Sequence, residues 1–269
     1  MKGYHGKVIY NPSGKAQEYS YWAANFYNGC SAKCDYCYNR HSRSAKIVGG
    51  DVPTLKKSLK DEETAIWTFR IEAMKNIEKL VKHGLFFNFV SDPCLKETIA
   101  LNFDAITWAA QFAIPCKILT KQGWWVNQFL ENFDKLNVKK EYFQFGFTLT
   151  GHDELEPGAS PNQNRIEAMK KLHDAGFKTW ASIEPVIDIE SSWRMIINSS
   201  FNCDLYKIGV QSGKKFNKET LYEFVNSVTN FIDGIDIPGQ IYWKDTLIKQ
   251  AGISRENLPA NCVTRNFNL

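Results

Sequence analysis

Residues 142–186, YFQFGFTLTGHDELEPGASPNQNRIEAMKKLHDAGFKTWASIEPV, decide the fold because they hold two strand-like runs with a helical run between them. The apolar segments at 142–150 and 178–186 predict strands. The segment at 162–176 predicts a helix, and Gly176 at its end is a residue that commonly stops helices. Because two strands joined through a helix lie parallel in one sheet, this stretch predicts an α/β fold.

The same alternation continues on both sides of this stretch. Further strands are predicted at 22–28, 85–90, 116–120 and 204–210, and further helices at 61–84, 97–113, 123–136, 190–199 and 217–234. The total of six strands falls short of the eight of a closed TIM barrel, so we expect a partial (β/α)6 TIM-like barrel. In such barrels the functional groups collect at the carboxyl ends of the strands.

The chain length of 269 residues allows one large barrel or two small domains. We interpret residues 1–20 as an N-terminal extension, 21–240 as the barrel and 241–269 as a C-terminal segment that closes it. No internal repeat or low-complexity linker interrupts this arrangement. A monomer or weak dimer is expected.

The charge and the cysteine content limit the classes of protein to which this chain can belong. The formal net charge is only +4, which permits an anionic partner without requiring one. The seven cysteines are odd in number and mostly scattered, so they do not form a disulfide framework. The N-terminus lacks the apolar core of a signal peptide, and no apolar run approaches the roughly 20 residues of a membrane span. We therefore predict a cytoplasmic protein with no membrane association.

Three cysteines lie within ten residues in NGCSAKCDYCYNR, residues 28–40. Cys30, Cys34 and Cys37 have the spacing C-x3-C-x2-C, which leaves three explanations open. Structural zinc needs four protein ligands, and His41 is the candidate for the fourth. A [4Fe–4S] cluster also takes four ligands, so three cysteines would leave one iron free to bind a small molecule. The third explanation is three unrelated buried thiols.

This motif, with Tyr36 before its last cysteine and a predicted strand before it, resembles the radical S-adenosylmethionine (SAM) superfamily. The resemblance implies a partial barrel of the radical SAM type and a cluster held by Cys30, Cys34 and Cys37. It implies that the open iron chelates the amino and carboxylate groups of SAM. Reductive cleavage would yield a 5′-deoxyadenosyl radical, which abstracts hydrogen from the substrate. A reducing partner such as flavodoxin or ferredoxin is implied as well.

A narrower set of matches resembles the spore photoproduct lyase-like branch. DYCYNR places Tyr36 and Tyr38 around the last cysteine, as in the Tyr-Cys-Tyr setting of that family, whose tyrosines are associated with radical transfer. SDP at 91–93 and Lys121 in ILTKQG occupy the positions of that family's Ser-Asp pair and Thr-Lys. EPGASPNQNRIEAMKKLHDAGF at 156–177 resembles its Glu-x-Gly-x-x-Pro segment and the helix after it.

One departure concerns the hydrogen-donating cysteine that the DNA-repairing lyases carry two residues before this serine. Here that position is Phe89, and the nearest thiol is Cys94. We therefore expect a lyase-like relative with another substrate, in which Cys94 is a candidate hydrogen donor. The resemblance and the mild basicity favour a nucleobase in DNA or RNA, with a peptide or a small metabolite as the alternative.

Several polar residues are candidate cofactor ligands. Tyr36 is expected beside the adenine or the cluster. Ser91 and Asp92 either bind the amino or carboxylate end of SAM or cap the following helix. Lys121 either pairs with the SAM carboxylate or is a solvated turn residue. Thr148 either reaches the ribose or the substrate or packs in the sheet.

Glu184 stands in an apolar strand end, where an unpaired charge is costly. It is predicted to bind the SAM amine or the substrate, and the alternative is a salt bridge to Arg165 or to a nearby lysine.

A different class of function also fits parts of the sequence. His41 and a basic loop with Arg40, Arg43 and Lys46 would suit a zinc-stabilised nucleic-acid-binding module without catalysis. A cluster-bearing electron carrier fits less well, because a carrier needs neither an open iron nor a barrel. Metal analysis would distinguish the zinc hypothesis from the two iron–sulfur hypotheses.

Overall fold

The structure is a computed structural model that describes residues 3–41, 45–234, 239–265, 267 and 269. Arg43 of the predicted basic loop lies outside these residues. The strands are β1 Ile9–Tyr10, β2 Ala23–Ala24, β3 Tyr27–Asn28, β4 Thr54–Leu55, β5 Leu85–Phe87, β6 Cys116–Thr120, β7 Phe143–Thr148, β8 Lys178–Val186, β9 Leu205–Val210 and β10 Gln240–Trp243. The helices are α1 Tyr38–His41, α2 Ala45–Val48, α3 Glu62–Lys75, α4 Ile77–His83, α5 Ile99–Gln111, α6 Val126–Asn132, α7 Asn162–Asp174, α8 Ile189–Ser199, α9 Lys218–Gly234 and α10 Asp245–Ala251.

The main sheet has eight strands among the described residues, in the order β1-β2-β5-β6-β7-β8-β9-β10. Every neighbouring pair from β2 to β10 is parallel, and only β1 at the edge is antiparallel. The long helices lie between successive strands in the chain. The predicted α/β partial barrel is confirmed.

The sequence did not identify every boundary. Residues 116–120 and 178–186 are strands with the predicted limits. The strand predicted at 85–90 stops at Phe87, and the backbone N–H of Phe89 donates to the side chain of Asn25 at 2.7 Å instead of to the sheet. The helix predicted at 61–84 divides at Asn76, whose side chain donates to the carbonyl of Glu72 at 2.9 Å.

The C-terminal part of the chain adds a strand beyond the six predicted. β10 pairs in parallel with β9, from Gln240 opposite Leu205 to Trp243 opposite Ile208. The domain boundary that we placed between 240 and 241 falls inside this strand.

Aromatic residues fill the concave face of the sheet. Tyr19, Phe86, Trp180 and Tyr242 form a buried cluster that contains no helix residue, which identifies it as the barrel interior. A Cβ added to Gly146 would lie only 2.2 Å from the Trp180 ring, so glycine lets the indole lie across β7. The interior is therefore packed with side chains.

The N-terminal segment is fixed by one buried carboxylate. Both oxygens of Glu72 on α3 accept backbone N–H groups, from Lys7 at 2.7 Å, Val8 at 3.1 Å and Ile9 at 2.7 Å. A carboxylate that accepts several backbone N–H groups replaces their lost hydration. This contact holds β1 at the edge of the sheet. In the part of the chain that the structure describes, no helix combines the length and apolar character needed to cross a membrane.

Candidate functional site

The three cysteines of the motif lie in one loop at the carboxyl end of the first strands. The loop leaves β3, which pairs with β4, and the backbone N–H groups of Gly29 and Cys30 donate to Val48 and Gly50 at 2.9 Å each. Cys34 is buried against Leu95, and Cys30 and Cys37 pack half-buried against the same small cluster. The thiols are thus gathered in one place by local chain geometry.

The environment of Cys30 and Cys34 favours the protonated form of their thiols. Burial raises the pKa of Cys30 to about 12, and the nearby charge of Asp92 adds to this effect. Burial also raises the pKa of Cys34, while the positive charge of Lys121 opposes the shift. Metal binding to such thiols must release protons, so it is expected to strengthen as the pH rises.

The cysteine loop supplies three thiol donors. Within residues 3–41, 45–234, 239–265, 267 and 269, no group of three or more His, Cys, Asp or Glu side chains is arranged to hold one metal ion. A cubane cluster takes each thiolate at a different iron, so its ligands need not converge on one point. His41, the candidate fourth zinc ligand, has its Nε2 at 2.7 Å from the backbone oxygen of Asp35.

Ser91 and Asp92 follow β5 and differ in their hydrogen bonds. Asp92 Oδ1 accepts from the N–H of Cys94 at 2.9 Å and from the hydroxyl of Thr120 at 2.7 Å, while Oδ2 accepts from the N–H of Lys121 at 2.7 Å. Asp92 therefore joins the loop after β5 to the end of β6. Ser91 Oγ is buried and has no hydrogen-bond partner among the described residues. An orphaned buried hydroxyl costs free energy unless a ligand satisfies it, so Ser91 fits a cofactor ligand better than Asp92 does.

Lys121 at the end of β6 places a positive charge at the cysteine loop. Its Nζ lies 5.6 Å from the ring centroid of Tyr36 and has no hydrogen bond or ion pair among the described residues. Burial by itself lowers the pKa of Lys121, but its interactions with Cys34 and with the carboxylate of Glu156 outweigh burial and raise the pKa overall. The side chain is therefore a charged donor that an anionic ligand group can use.

Glu156 and Arg165 are functional candidates that the sequence reasoning did not select. Arg165 Nη2 donates to Glu156 Oε2 at 2.6 Å, and both side chains are 0% exposed. The hydroxyl of Tyr36 donates to the other oxygen, Oε1. Burial and the charge of Glu156 both raise the pKa of Tyr36, so its phenol stays protonated. A buried carboxylate thus connects the cysteine loop to α7.

The segment that contains Glu156 also forms backbone hydrogen bonds with the cysteine loop. The N–H of Asp35 donates to the carbonyl of Leu155 at 2.9 Å, and the N–H of Gly158 donates to the carbonyl of Ala32 at 3.0 Å. A Cβ on Gly158 would lie 2.1 Å from the Ser31 oxygen, so only glycine fits. The Glu-x-Gly-x-x-Pro pattern was the sequence signal that could have identified these residues. The contacts of Glu156 and Gly158 explain why the pattern has glutamate and glycine at these positions.

Tyr38 opens α1 on the outside of the loop. Its side chain is 55% exposed, and its hydroxyl donates to the carbonyl of Phe89. Asn39 donates to the carbonyls of Phe89 and Val90, at 3.3 and 3.0 Å. These contacts hold α1 against the loop after β5, with the Tyr38 ring accessible at the mouth of the barrel.

Two predicted residues are buried. Cys94 is fully buried in the main core, and burial raises the pKa of its thiol well above the ordinary value. Its position argues against contact with a substrate. Thr148 is buried at the end of β7, and its carbonyl accepts from Arg165 Nη1 at 2.7 Å.

Glu184, near the carboxyl end of β8, takes part in a second polar cluster. Its Oε2 accepts from Lys244 Nζ at 2.7 Å and from the hydroxyl of Tyr19 at 2.5 Å. Lys244 also lies 3.5 Å from Glu18 Oε2. The salt bridge considered for Glu184 is therefore made with Lys244 and not with Arg165. Glu184 keeps 19% exposure, which leaves part of its carboxylate open to the barrel mouth.

His152 joins the loop after β7 to the start of α8. Nδ1 lies 2.6 Å from Glu154 Oε1, and Nε2 lies 2.6 Å from Asp188 Oδ2 and 3.0 Å from Ser191 Oγ. Burial would lower the pKa of His152, but hydrogen bonds to the two carboxylates dominate and raise it. Ser191 is buried, so this group of residues serves to fix the loop.

This arrangement predicts a pH-dependent contribution to stability. Because the folded-state pKa of His152 is raised, the stabilisation is fully present below the unfolded pKa of about 6.5 and is lost as the pH rises through the folded pKa. His152→Gln should lower the free energy of unfolding by about 1 kcal/mol more at pH 6 than at pH 9. Urea unfolding at the two pH values measures this, with His5→Gln at an exposed position as control. An equal loss at both values would contradict it.

Comparisons with known proteins support the fold. No protein-family model matches the chain. An uncharacterized protein of Methanocaldococcus jannaschii, MJ0683, is 27% identical over 181 residues, which cover 62% of this chain and 60% of that protein. The chain is also similar to solved structures of Streptococcus suis SuiB. The first has a TM-score of 0.56 at 12% identity and covers 86% of this chain and 51% of SuiB.

Two further SuiB structures match to a similar degree. SuiB bound to S-adenosylmethionine has a TM-score of 0.56 at 13% identity, covering 85% of this chain and 53% of SuiB. SuiB bound to the precursor peptide SuiA has a TM-score of 0.54 at 12% identity, covering 91% and 55%. The chain thus spans about half the length of SuiB and about three fifths of MJ0683. At these identities the similarity to SuiB shows the fold alone.

Proposed function

We propose that this protein is a radical SAM enzyme that holds a [4Fe–4S] cluster by Cys30, Cys34 and Cys37. The observation that carries the proposal is the gathering of these three thiols around Leu95, at the carboxyl edge of a partial barrel. Three thiolates leave one of four irons without a protein ligand. SuiB, which has a similar fold, has been solved with S-adenosylmethionine bound, and this supports the same cofactor here.

The cluster and SAM together would supply an electron and a 5′-deoxyadenosyl radical, the species that removes hydrogen from the substrate. The protein's own residues would position SAM. Ser91 Oγ, which lacks a partner, and the Lys121 ammonium are available to its carboxylate. The Tyr36 ring would flank the adenine or the cluster. Asp92 would act through the loop that it fixes, since its oxygens already accept three protein donors.

The substrate is proposed to enter between Tyr38 and Glu184. Tyr38 is exposed at the barrel mouth, and the charge of Glu184 is felt at its hydroxyl. The packed aromatic residues of the barrel interior would form the floor and exclude water. Thr148 and Cys94 are buried, so any role for them in substrate handling would require movement of the strand ends.

A lyase-like activity of the spore photoproduct lyase type is the finer proposal. It is supported by the order of matching segments and by the structural reasons found for Glu156 and Gly158. A nucleobase in DNA or RNA is the substrate class we favour, and a peptide is the alternative. The reducing partner is proposed to be a flavodoxin or ferredoxin. A cytoplasmic location is proposed because all seven cysteines are free thiols.

The decisive experiment is anaerobic reconstitution with iron and sulfide. We expect about four irons per chain, a brown protein, and release of 5′-deoxyadenosine when SAM and dithionite are added. A colourless protein with one zinc would instead support the zinc-stabilised nucleic-acid-binding module. Deuterated candidate nucleic acids and peptides would then identify the substrate, because deuterium appears in 5′-deoxyadenosine only when that substrate donates hydrogen.

A further inference from the structure

A continuous chain of contacts runs from α7 to the cysteine loop. Arg165 Nη2 donates to Glu156 Oε2 at 2.6 Å, the Tyr36 hydroxyl donates to Glu156 Oε1, and Lys121 Nζ lies 5.6 Å from the centroid of the Tyr36 ring. The members lie on four separate parts of the chain. The fold alone brings them together, which raises the question of what the chain of contacts does.

One end of this chain of contacts is rigid. Besides binding Glu156, Arg165 donates Nε to the carbonyl of Ser160 at 2.6 Å and Nη1 to the carbonyl of Thr148 at 2.7 Å. A planar guanidinium fixed at three nitrogens has no rotational freedom left. The carboxylate of Glu156 is therefore held in one orientation, and it holds the Tyr36 hydroxyl in turn.

The other end carries a positive charge that contacts the ring of Tyr36. The backbone of Lys121 is fixed, because its N–H donates to Asp92 and its carbonyl accepts from Ser160 at 2.9 Å. Its ammonium has no hydrogen bond or ion pair among the described residues, and the face of the Tyr36 ring is its contact. A cation over an aromatic face is attracted by the negative charge of that face. The position of this charge thus depends on where the ring is held.

We infer that Glu156 is a positioning residue, which fixes the ring of Tyr36 so that the ring holds the ammonium of Lys121 at the cysteine loop, where Tyr36 packs with the three cysteines. This inference rests on the proposed function, in which Cys34 is a cluster ligand. A reduced cluster carries one more negative charge than an oxidised one, so a nearby cation stabilises the reduced form. The chain of contacts would therefore raise the reduction potential of the cluster.

A buried ion pair could also serve only to stiffen the loop, and the two roles differ in one measurable way. Tyr36→Phe removes the hydroxyl but keeps the ring and leaves the formal charge unchanged. A positioning role predicts that this variant lowers the reduction potential only while Lys121 is present. A stiffening role predicts an effect that does not depend on Lys121.

The test is a reduction-potential titration of reconstituted protein without SAM, followed by electron paramagnetic resonance. K121M should lower the ratio of reduced to oxidised cluster about tenfold at a fixed potential, a shift of about 59 mV to more negative values. Y36F should shift the potential in the same direction by less, and the double variant Y36F/K121M should match K121M alone.

The role of Glu156 is tested with the variant E156Q, both in the wild-type protein and in K121M. E156Q removes a negative charge, which by itself raises the potential, and releases the ring, which lowers it. Only the second effect requires Lys121, so the shift should be more negative in the wild-type background than in the K121M background. Y222F and E167Q, at exposed positions, are matched controls and should leave the potential unchanged.

The outcomes separate the two proposals. A wild-type protein that takes up no iron would refute the proposed function. A loaded protein in which Y36F shifts the potential equally with and without Lys121, or not at all, would refute the inference while leaving the function intact. If E156Q does not fold because Arg165 is left unpaired, the Y36F comparison still decides.

Discussion

Cys34→Ala should reduce the iron bound after anaerobic reconstitution from about four atoms per chain to less than one. The residue is buried at the centre of the loop, between the other two thiols in sequence, and a cubane held by only two protein thiolates loses its attachment. Release of 5′-deoxyadenosine in the presence of SAM and dithionite should fall to the background rate. Iron analysis, visible absorbance and chromatography of the nucleoside measure the three effects.

The matched control for this experiment is Cys262→Ala. Cys262 is a half-buried free thiol at the C-terminal end of the chain and plays no part in the motif. It should keep its full iron content, and circular dichroism should show that both variants fold. A Cys34→Ala protein with four irons and undiminished cleavage of SAM would rule out our assignment of the ligands.

Arg165→Met should destabilise the folded protein by about 3–5 kcal/mol, because it leaves the charge of Glu156 buried without a partner. The carbonyls of Thr148 and Ser160 lose their donors at the same time. Equilibrium unfolding in urea measures the loss as a lower midpoint. The effect should be partly reversed in Arg165→Met/Glu156→Gln, since the second change removes the unpaired charge but leaves the two carbonyls without their donors.

An exposed ion pair on the same helix provides the comparison. Lys170 and Asp174 lie 2.7 Å apart, with both side chains more than half exposed. Lys170→Met should change the free energy of unfolding by less than about 1 kcal/mol, because exposed pairs are screened by solvent. Similar losses for the two variants would show that Arg165 is not the buried partner that the structure describes.

Together these results would separate folding from chemistry at one site. Cys34 would be required for the cofactor and not for the fold, whereas Arg165 would be required for the fold and only through it for the cofactor. Glu156 stands between them, because it contacts Arg165 on one side and Tyr36 on the other. The cysteine loop is thus supported by a buried ion pair from the other half of the chain.

The local features of the chain were determined by its sequence. The strands at 116–120 and 178–186, the helix that starts at Asn162, and the spacing of the three cysteines can each be recognised within a short window. Hydrophobic periodicity, turn residues and motif spacing act between neighbours in the chain, so they require no knowledge of the fold. The alternation of these elements was also sufficient to predict a partial α/β barrel.

The partners of the buried charges were decided only by the tertiary structure. Glu156 accepts a hydrogen bond from the Tyr36 hydroxyl, 120 residues away in the chain, and Glu184 accepts one from Lys244, 60 residues away. The order of strands in the sheet decides which strand ends and loops become neighbours. A buried charged side chain can therefore pair only with a group that this order brings close to it. Sequence could therefore identify Glu184 as a costly charge that needed a partner, but the parallel packing of β8, β9 and β10 selected Lys244.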